Sequence, residues 1–145
     1  DGLLYVLATG GRLYRLNPVR IGGFAPEEAL TRADHGTPEP VGMAFAADGS
    51  LYLLGNEDVG STQTKFVIRR GSPRYGSWAW STVAESEPYL LSHTWFDHKA
   101  NGLAISPDQT TLYVNSGART DHGEMYGGLR EEGHGDGASN SSQRH

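Results

Sequence analysis

One short motif recurs three times along this chain, and it limits the possible fold more than any other feature. Each copy is an Asp-led turn followed by Leu-Tyr in an apolar run, with the tyrosines at Tyr5, Tyr52 and Tyr113. Copies roughly 50 to 60 residues apart are typical of a repeated supersecondary unit. The chain is therefore expected to be an array of similar units.

An apolar run also precedes the motif in the second and third copies, at Val41–Ala46 and Asn101–Ser106. Between the two runs stand Asp48-Gly49 in one copy and Ser106-Pro107-Asp108 in the other. Both sequences favour tight turns, through glycine, a proline-fixed φ or an Asp side chain that bonds nearby backbone. Each copy is therefore predicted to be a β-hairpin.

Further runs with strand character follow the hairpins, at Arg12–Leu16, Lys65–Arg70 and Trp78–Val83. Four short strands in each repeat describe a blade of a β-propeller. Only Pro26–Ala33 is predicted to be helical, because proline stands at its first position and acids follow in its first turn. We therefore expect an all-β fold.

The number of repeats predicts an incomplete ring. Propellers close with at least about four blades, and residues 1–130 hold about two blades and the start of a third. We expect a piece of a longer propeller, or a protomer that completes its ring by oligomerisation. Residues 131–145 contain no large apolar side chain and are expected to be a disordered tail rich in Gly and Ser.

Composition excludes several classes of protein and partner. The chain of 145 residues has no cysteine, so it has neither disulfides nor a thiolate metal site. No apolar run approaches the ~18 residues of a membrane span. The net charge of −5, without a dense basic stripe, argues against a nucleic-acid partner.

The segment Asp97–Gly117 resembles the region around the catalytic histidine in the glucose/sorbosone dehydrogenases. Weaker similarity covers Gly11–Pro18, Val41–Phe45 and Thr62–Arg70, in the order of that family. The resemblance covers about residues 1 to 130 and implies the first third of a six-bladed propeller that uses pyrroloquinoline quinone (PQQ) and calcium.

The resemblance also implies roles for individual residues. His98 would be the general base that takes the proton of a sugar hydroxyl while hydride passes to PQQ. An imidazole suits that role because its ordinary pKa lies near neutral pH. Ala118 stands where the family has an assisting acid, so Asp121 is the nearest candidate. The ligands of PQQ and calcium would lie mostly beyond this chain, which would be inactive in isolation. A sugar substrate, an electron acceptor and a periplasmic or secreted location are implied as well.

Other interpretations remain open for the same residues. His98 could be a structural or solvent-facing histidine, and His93, His98 and His122 have no metal-binding spacing. Trp78 and Trp80 could stack on a sugar or pack between blades. The main alternative function is a non-catalytic propeller that binds a polysaccharide or a protein, since one fold serves many functions. A calcium-dependent lactonase is disfavoured, because its acidic ligands have no counterparts here.

Overall fold

A computed structural model of the chain describes residues 3–19, 22–91 and 99–117. These residues form ten strands and one helical turn. In chain order the elements are β1 (Leu4–Leu7), β2 (Leu13–Pro18), β3 (Phe24–Leu30), α1 (Arg32–His35), β4 (Pro40–Phe45), β5 (Leu51–Val59), β6 (Gln63–Arg74), β7 (Ser77–Glu85), β8 (Tyr89–Leu90), β9 (Ala100–Ile105) and β10 (Leu112–Ser116). The prediction of an all-β fold is confirmed.

The strands form three antiparallel sheets that follow one another along the chain. Sheet I has the order β1-β2-β3, sheet II has the order β4-β5-β6-β7, and sheet III pairs β9 with β10. The two-residue strand β8 also pairs with β6, beyond the end of β7. Sheet II therefore has four strands in chain order and β8 as a short fifth strand, and among the described residues the sheets do not close into a ring.

The hairpins of sheets II and III have the same register. Ala44 lies opposite Tyr52 in sheet II, and Ala104 lies opposite Tyr113 in sheet III. The turns also agree, because the Asp48 carboxylate accepts the Ser50 amide at 2.8 Å and the Asp108 carboxylate accepts the Thr110 amide at 3.1 Å. The predicted hairpins and their Asp-led turns are confirmed for the second and third copies, and the turn of the first copy, at Asp1, lies outside the described residues.

Sheets I and II also share their register, down to an irregularity. Tyr5 lies opposite Arg15, and Tyr52 lies opposite Arg70. The next strand in each sheet carries a bulge at the matching position, at Ala29 of β3 in sheet I and at Val83 of β7 in sheet II. Because a bulge bends a strand and increases its twist, the two sheets are shaped alike and can stack.

Sheet II lies in the middle of the stack and buries both of its faces. On one face Leu51 and Leu53 of β5 pack with Leu13 and Leu30 of sheet I. On the other face the neighbouring residue of β5, Leu54, belongs to a second cluster. That cluster also contains Ile68, Ala100, Leu103, Leu112 and Val114. Strand β5 is apolar on both faces because each face meets another sheet.

The predicted helix at Pro26–Ala33 is wrong over most of its length. The chain runs as strand β3 to Leu30, and the single helical turn covers Arg32–His35. The acids that suggested a first helical turn pair across the strands instead: Glu27 contacts Arg15 at 2.6 Å, and Glu28 contacts Arg12 at 3.6 Å. Pro26 is tolerated because β3 is an edge strand.

The short helix has its own start and stop signals. Thr31 and Asp34 form a capping box, and Gly36 ends the turn in the left-handed conformation, at φ 61°. Among the described residues, no helix is long and apolar enough to cross a membrane.

Candidate functional site

A cavity of about 860 Å³ opens at one edge of the stack, between the end of β1 and the start of β4. The described side chains that line it include two charged groups, Arg32 and Glu39, together with the amide of Asn101. Strand ends meet at this edge because β1 ends there while β4 and β9 begin there. The site is therefore built from connecting segments on a rigid scaffold, as binding sites commonly are.

Lys99 forms a charged cluster beside this cavity. Its Nζ lies 2.8 Å from Oδ1 of Asp58 and 3.4 Å from Oε2 of Glu39. Partial burial alone would lower the pKa of Lys99, but the hydrogen bond to Asp58 and the charge of Glu39 raise it above its ordinary value. The amine therefore stays protonated near neutral pH and is unsuited to act as a base or nucleophile.

The backbone beside Lys99 is held by Asn56, a buried side chain of β5. Its Nδ2 donates to the Ala100 carbonyl at 2.9 Å, and its Oδ1 accepts the Ala100 amide at 3.1 Å. The pair imitates a strand-to-strand contact and satisfies two buried backbone groups. It ties the first residue of β9 to sheet II, and Lys99, which follows His98 in the chain, lies next to this anchor.

Glu39 is held in an unusual backbone conformation, with φ at +28° in a residue that precedes a proline. The backbone carbonyl of Glu39 accepts a hydrogen bond from the backbone N–H of Asn56 at 3.3 Å. The preceding segment also runs very close to β5, because a Cβ added to Gly55 would overlap the carbonyl oxygen of Pro38. Gly55 therefore permits the approach that directs Glu39 toward Lys99.

His35 is fully buried and has a structural role beneath the site. Its Nε2 donates to the Gly11 carbonyl at 2.7 Å, and its Nδ1 accepts the Thr37 amide at 3.0 Å. An amide can only donate, so these bonds fix the neutral imidazole with its proton on Nε2. The edge of the ring also meets Trp80, with 5.7 Å between centroids.

The two residues predicted to carry the chemistry, His98 and Asp121, lie outside the described residues. Ala118, His93 and His122 lie outside them as well. What the structure adds is a set of residues that the sequence did not single out: Glu39, Asn56, Asp58 and Lys99. The side-chain contacts that join Glu39, Asn56 and Asp58 to Lys99 and Ala100 span more than 40 residues of the chain, so no local motif marks them.

Trp78 and Trp80 pack against the cluster between sheets I and II, with their rings stacked 6.0 Å apart. Both indole rings therefore pack between two sheets. Trp80 lies opposite Gly71, where an added Cβ would come within 2.7 Å of the indole ring. The glycine makes room for the large ring that fills the gap between the sheets.

A metal ion and PQQ would each need a particular set of side chains to bind to the described residues. Among them, no group of three or more His, Asp or Glu side chains could hold a metal ion. The charged groups at the cavity are one cation, Arg32, and one carboxylate, Glu39. This pair does not by itself fit PQQ, whose several carboxylates need several cations. The described residues alone therefore do not make its binding site.

Comparisons with protein-family models, with curated proteins and with solved structures find no match to this chain.

Proposed function

We propose that this chain forms the base-bearing part of a propeller enzyme that oxidises a sugar such as an aldose or sorbosone. The sequence resemblance around His98 is the starting point, and stacked sheets with a repeated register support the blade interpretation. The observation that carries the proposal is the anchoring of Lys99 and Ala100 by Asp58, Glu39 and Asn56. These contacts hold the backbone directly after His98 beside the 860 Å³ cavity.

In this proposal His98 acts as the general base. Its imidazole would accept the proton of the substrate hydroxyl, and the quinone implied by the resemblance, when bound, would supply the acceptor for the hydride on the carbon that carries it. Lys99 does not share this role, because its ion pairs keep it protonated. The cation and carboxylate at the cavity would orient sugar hydroxyls through hydrogen bonds. The quinone and calcium implied by the resemblance would be bound mainly by residues outside this chain, in the periplasm or outside the cell.

The test is dye-linked sugar oxidation by the whole protein supplied with PQQ and calcium. His98→Asn should lower kcat by about 10² to 10⁴, the usual contribution of a positioned general base. His122→Asn is the control and should cost less than about tenfold. Sugar binding, measured by calorimetry, should survive in both variants. Full activity of His98→Asn, or no quinone-dependent oxidation by the parent, would contradict the enzyme proposal.

The alternative is a propeller module that binds a polysaccharide or protein without catalysis. The sparse charge at the cavity favours it, because a neutral ligand needs few ionic contacts. Calorimetric titration with a panel of soluble polysaccharides distinguishes the two. Binding that weakens in Arg32→Ala, is unchanged in His98→Asn and is accompanied by no oxidation would favour the module.

A further inference from the structure

The outward face of sheet I corresponds, residue by residue, to the face of sheet II that is buried against sheet I. Leu4 and Val6 of β1 correspond by register to Leu51 and Leu53 of β5. The pair in β5 is 0% exposed against sheet I, whereas Leu4 and Val6 are 57% and 44% exposed. Apolar residues whose counterparts are buried are therefore exposed to solvent at this end of the stack.

A third residue extends this apolar surface. Phe24 of β3 corresponds to Trp78 of β7, since each lies opposite the matching proline of the neighbouring strand. Trp78 packs against the core cluster between sheets I and II, but Phe24 is 54% exposed. We call the surface formed by Leu4, Val6 and Phe24 the front face. Large exposed apolar residues gathered on one face commonly mark an interaction site.

The opposite end of the stack exposes the complementary half. Tyr113 of sheet III is 60% exposed, whereas its counterparts Tyr5 and Tyr52 both pack against core clusters between sheets. Ala104 lies opposite Tyr113 and is also exposed. We call the surface formed by Ala104 and Tyr113 the back face. Between sheets I and II, the face of sheet I that carries Tyr5 packs on the face of sheet II that carries Leu51 and Leu53. The first face corresponds to the back face, and the second corresponds to the front face.

We propose that two copies of this chain associate head to tail, with the front face of one copy on the back face of the other. A second copy is the occupant because this chain carries both halves of the contact, one at each end of its described sheets. The interior contact between sheets I and II supplies the geometry. Contacts of this heterologous kind form a ring when the rotation between copies closes.

Sedimentation equilibrium of the full chain across a range of concentrations tests the proposal. The parent should be a dimer or larger ring. Val6→Glu should raise the dissociation constant at least about tenfold, because a carboxylate would be buried without a partner. Val83→Glu is the matched control: this valine is 46% exposed, close to the 44% of Val6, and occupies the bulge of β7. It should leave the association unchanged.

A mixing experiment separates head-to-tail association from a symmetric contact between two front faces. Val6→Glu damages the front face, and Tyr113→Glu damages the back face. Each variant alone should associate weakly, but their mixture should recover a dimer, because one undamaged front face and one undamaged back face remain. Thermal melting followed by tryptophan fluorescence checks that both variants are folded.

Three results would overturn the proposal. The first is a parent that stays monomeric at every concentration. The second is association that neither Val6→Glu nor Tyr113→Glu weakens. The third is a mixture of the two variants that recovers no dimer although each is folded, because an undamaged front face and an undamaged back face would then fail to bind each other.

Discussion

Replacing Asn56 by alanine should destabilise the fold and loosen the start of β9. The change removes two hydrogen bonds, of 2.9 and 3.1 Å, and strips the Ala100 amide and carbonyl of their described partners. Ala100 is 2% exposed, so water reaches these groups only if the strand moves. Since each unsatisfied buried group costs about 1–3 kcal/mol, the expected loss is about 2–4 kcal/mol after partial relaxation.

Urea denaturation followed by tryptophan fluorescence measures this loss, and hydrogen exchange at the Ala100 amide locates it. Asn56→Asp keeps the acceptor for the Ala100 amide but places a buried carboxylate oxygen against the Ala100 carbonyl, so it should destabilise the fold at least as much as Asn56→Ala. Asn115→Ala, at an exposed asparagine of β10, is the control and should change stability by less than about 0.5 kcal/mol. If Asn56→Ala cost no more than this control, the anchor would have no energetic role.

Three further predictions concern the same part of the molecule and its sheets. Gly55→Ala should lower stability by about 1–3 kcal/mol, because the new methyl group would overlap the Pro38 carbonyl, and thermal melting measures the loss. Glu27→Gln should flatten the acid limb of the stability curve: hydrogen bonds, chiefly from Arg15, lower the Glu27 pKa, so its contribution is present above pH 4.5 and is lost on acidification. Lys99→Met should flatten the alkaline limb, since the raised pKa of Lys99 contributes stability that is present below pH 10.5 and lost above it.

Each of these predictions has a control or a contradicting outcome within the chain. Gly102→Ala should be mild, because the nearest atom to its added Cβ is 3.4 Å away, a normal van der Waals contact. An acid limb of the same slope in the parent and in Glu27→Gln would mean that the ion pair with Arg15 contributes nothing measurable. An alkaline limb of the same slope in the parent and in Lys99→Met would mean that its ion pairs contribute nothing measurable.

The repeating hairpins were predictable because their signals are local. Asp48-Gly49 and Ser106-Pro107-Asp108 specify turns through a few adjacent residues, and alternating apolar residues specify the strands on either side. The error at Pro26–Ala33 has the opposite cause. Its acids look like a helix start within their own window, whereas the contacts that make it a strand are the backbone pairs of β3 with β2.

The polar part of the site was not predictable for the same reason. Asn56 and Ala100 are 44 residues apart, and Asp58 and Lys99 are 41 apart. No periodicity or spacing rule connects such pairs, and only the stacking of sheet III on sheet II brings them together. The sequence could point to His98 by its motif, but not to the residues that hold the backbone after it.

The arrangement of the strands explains why these polar contacts collect at one edge. Strands β4 and β9 occupy the same place in successive sheets, so the segments that lead into them, at Glu39 and Lys99, arrive side by side. At this edge Asn56 and Gly55 hold the strands in place and Ala100 belongs to a core cluster, so substitutions at these positions lower stability. Arg32 lines the cavity from the segment between two strands, so its replacement can change binding at less cost to the core.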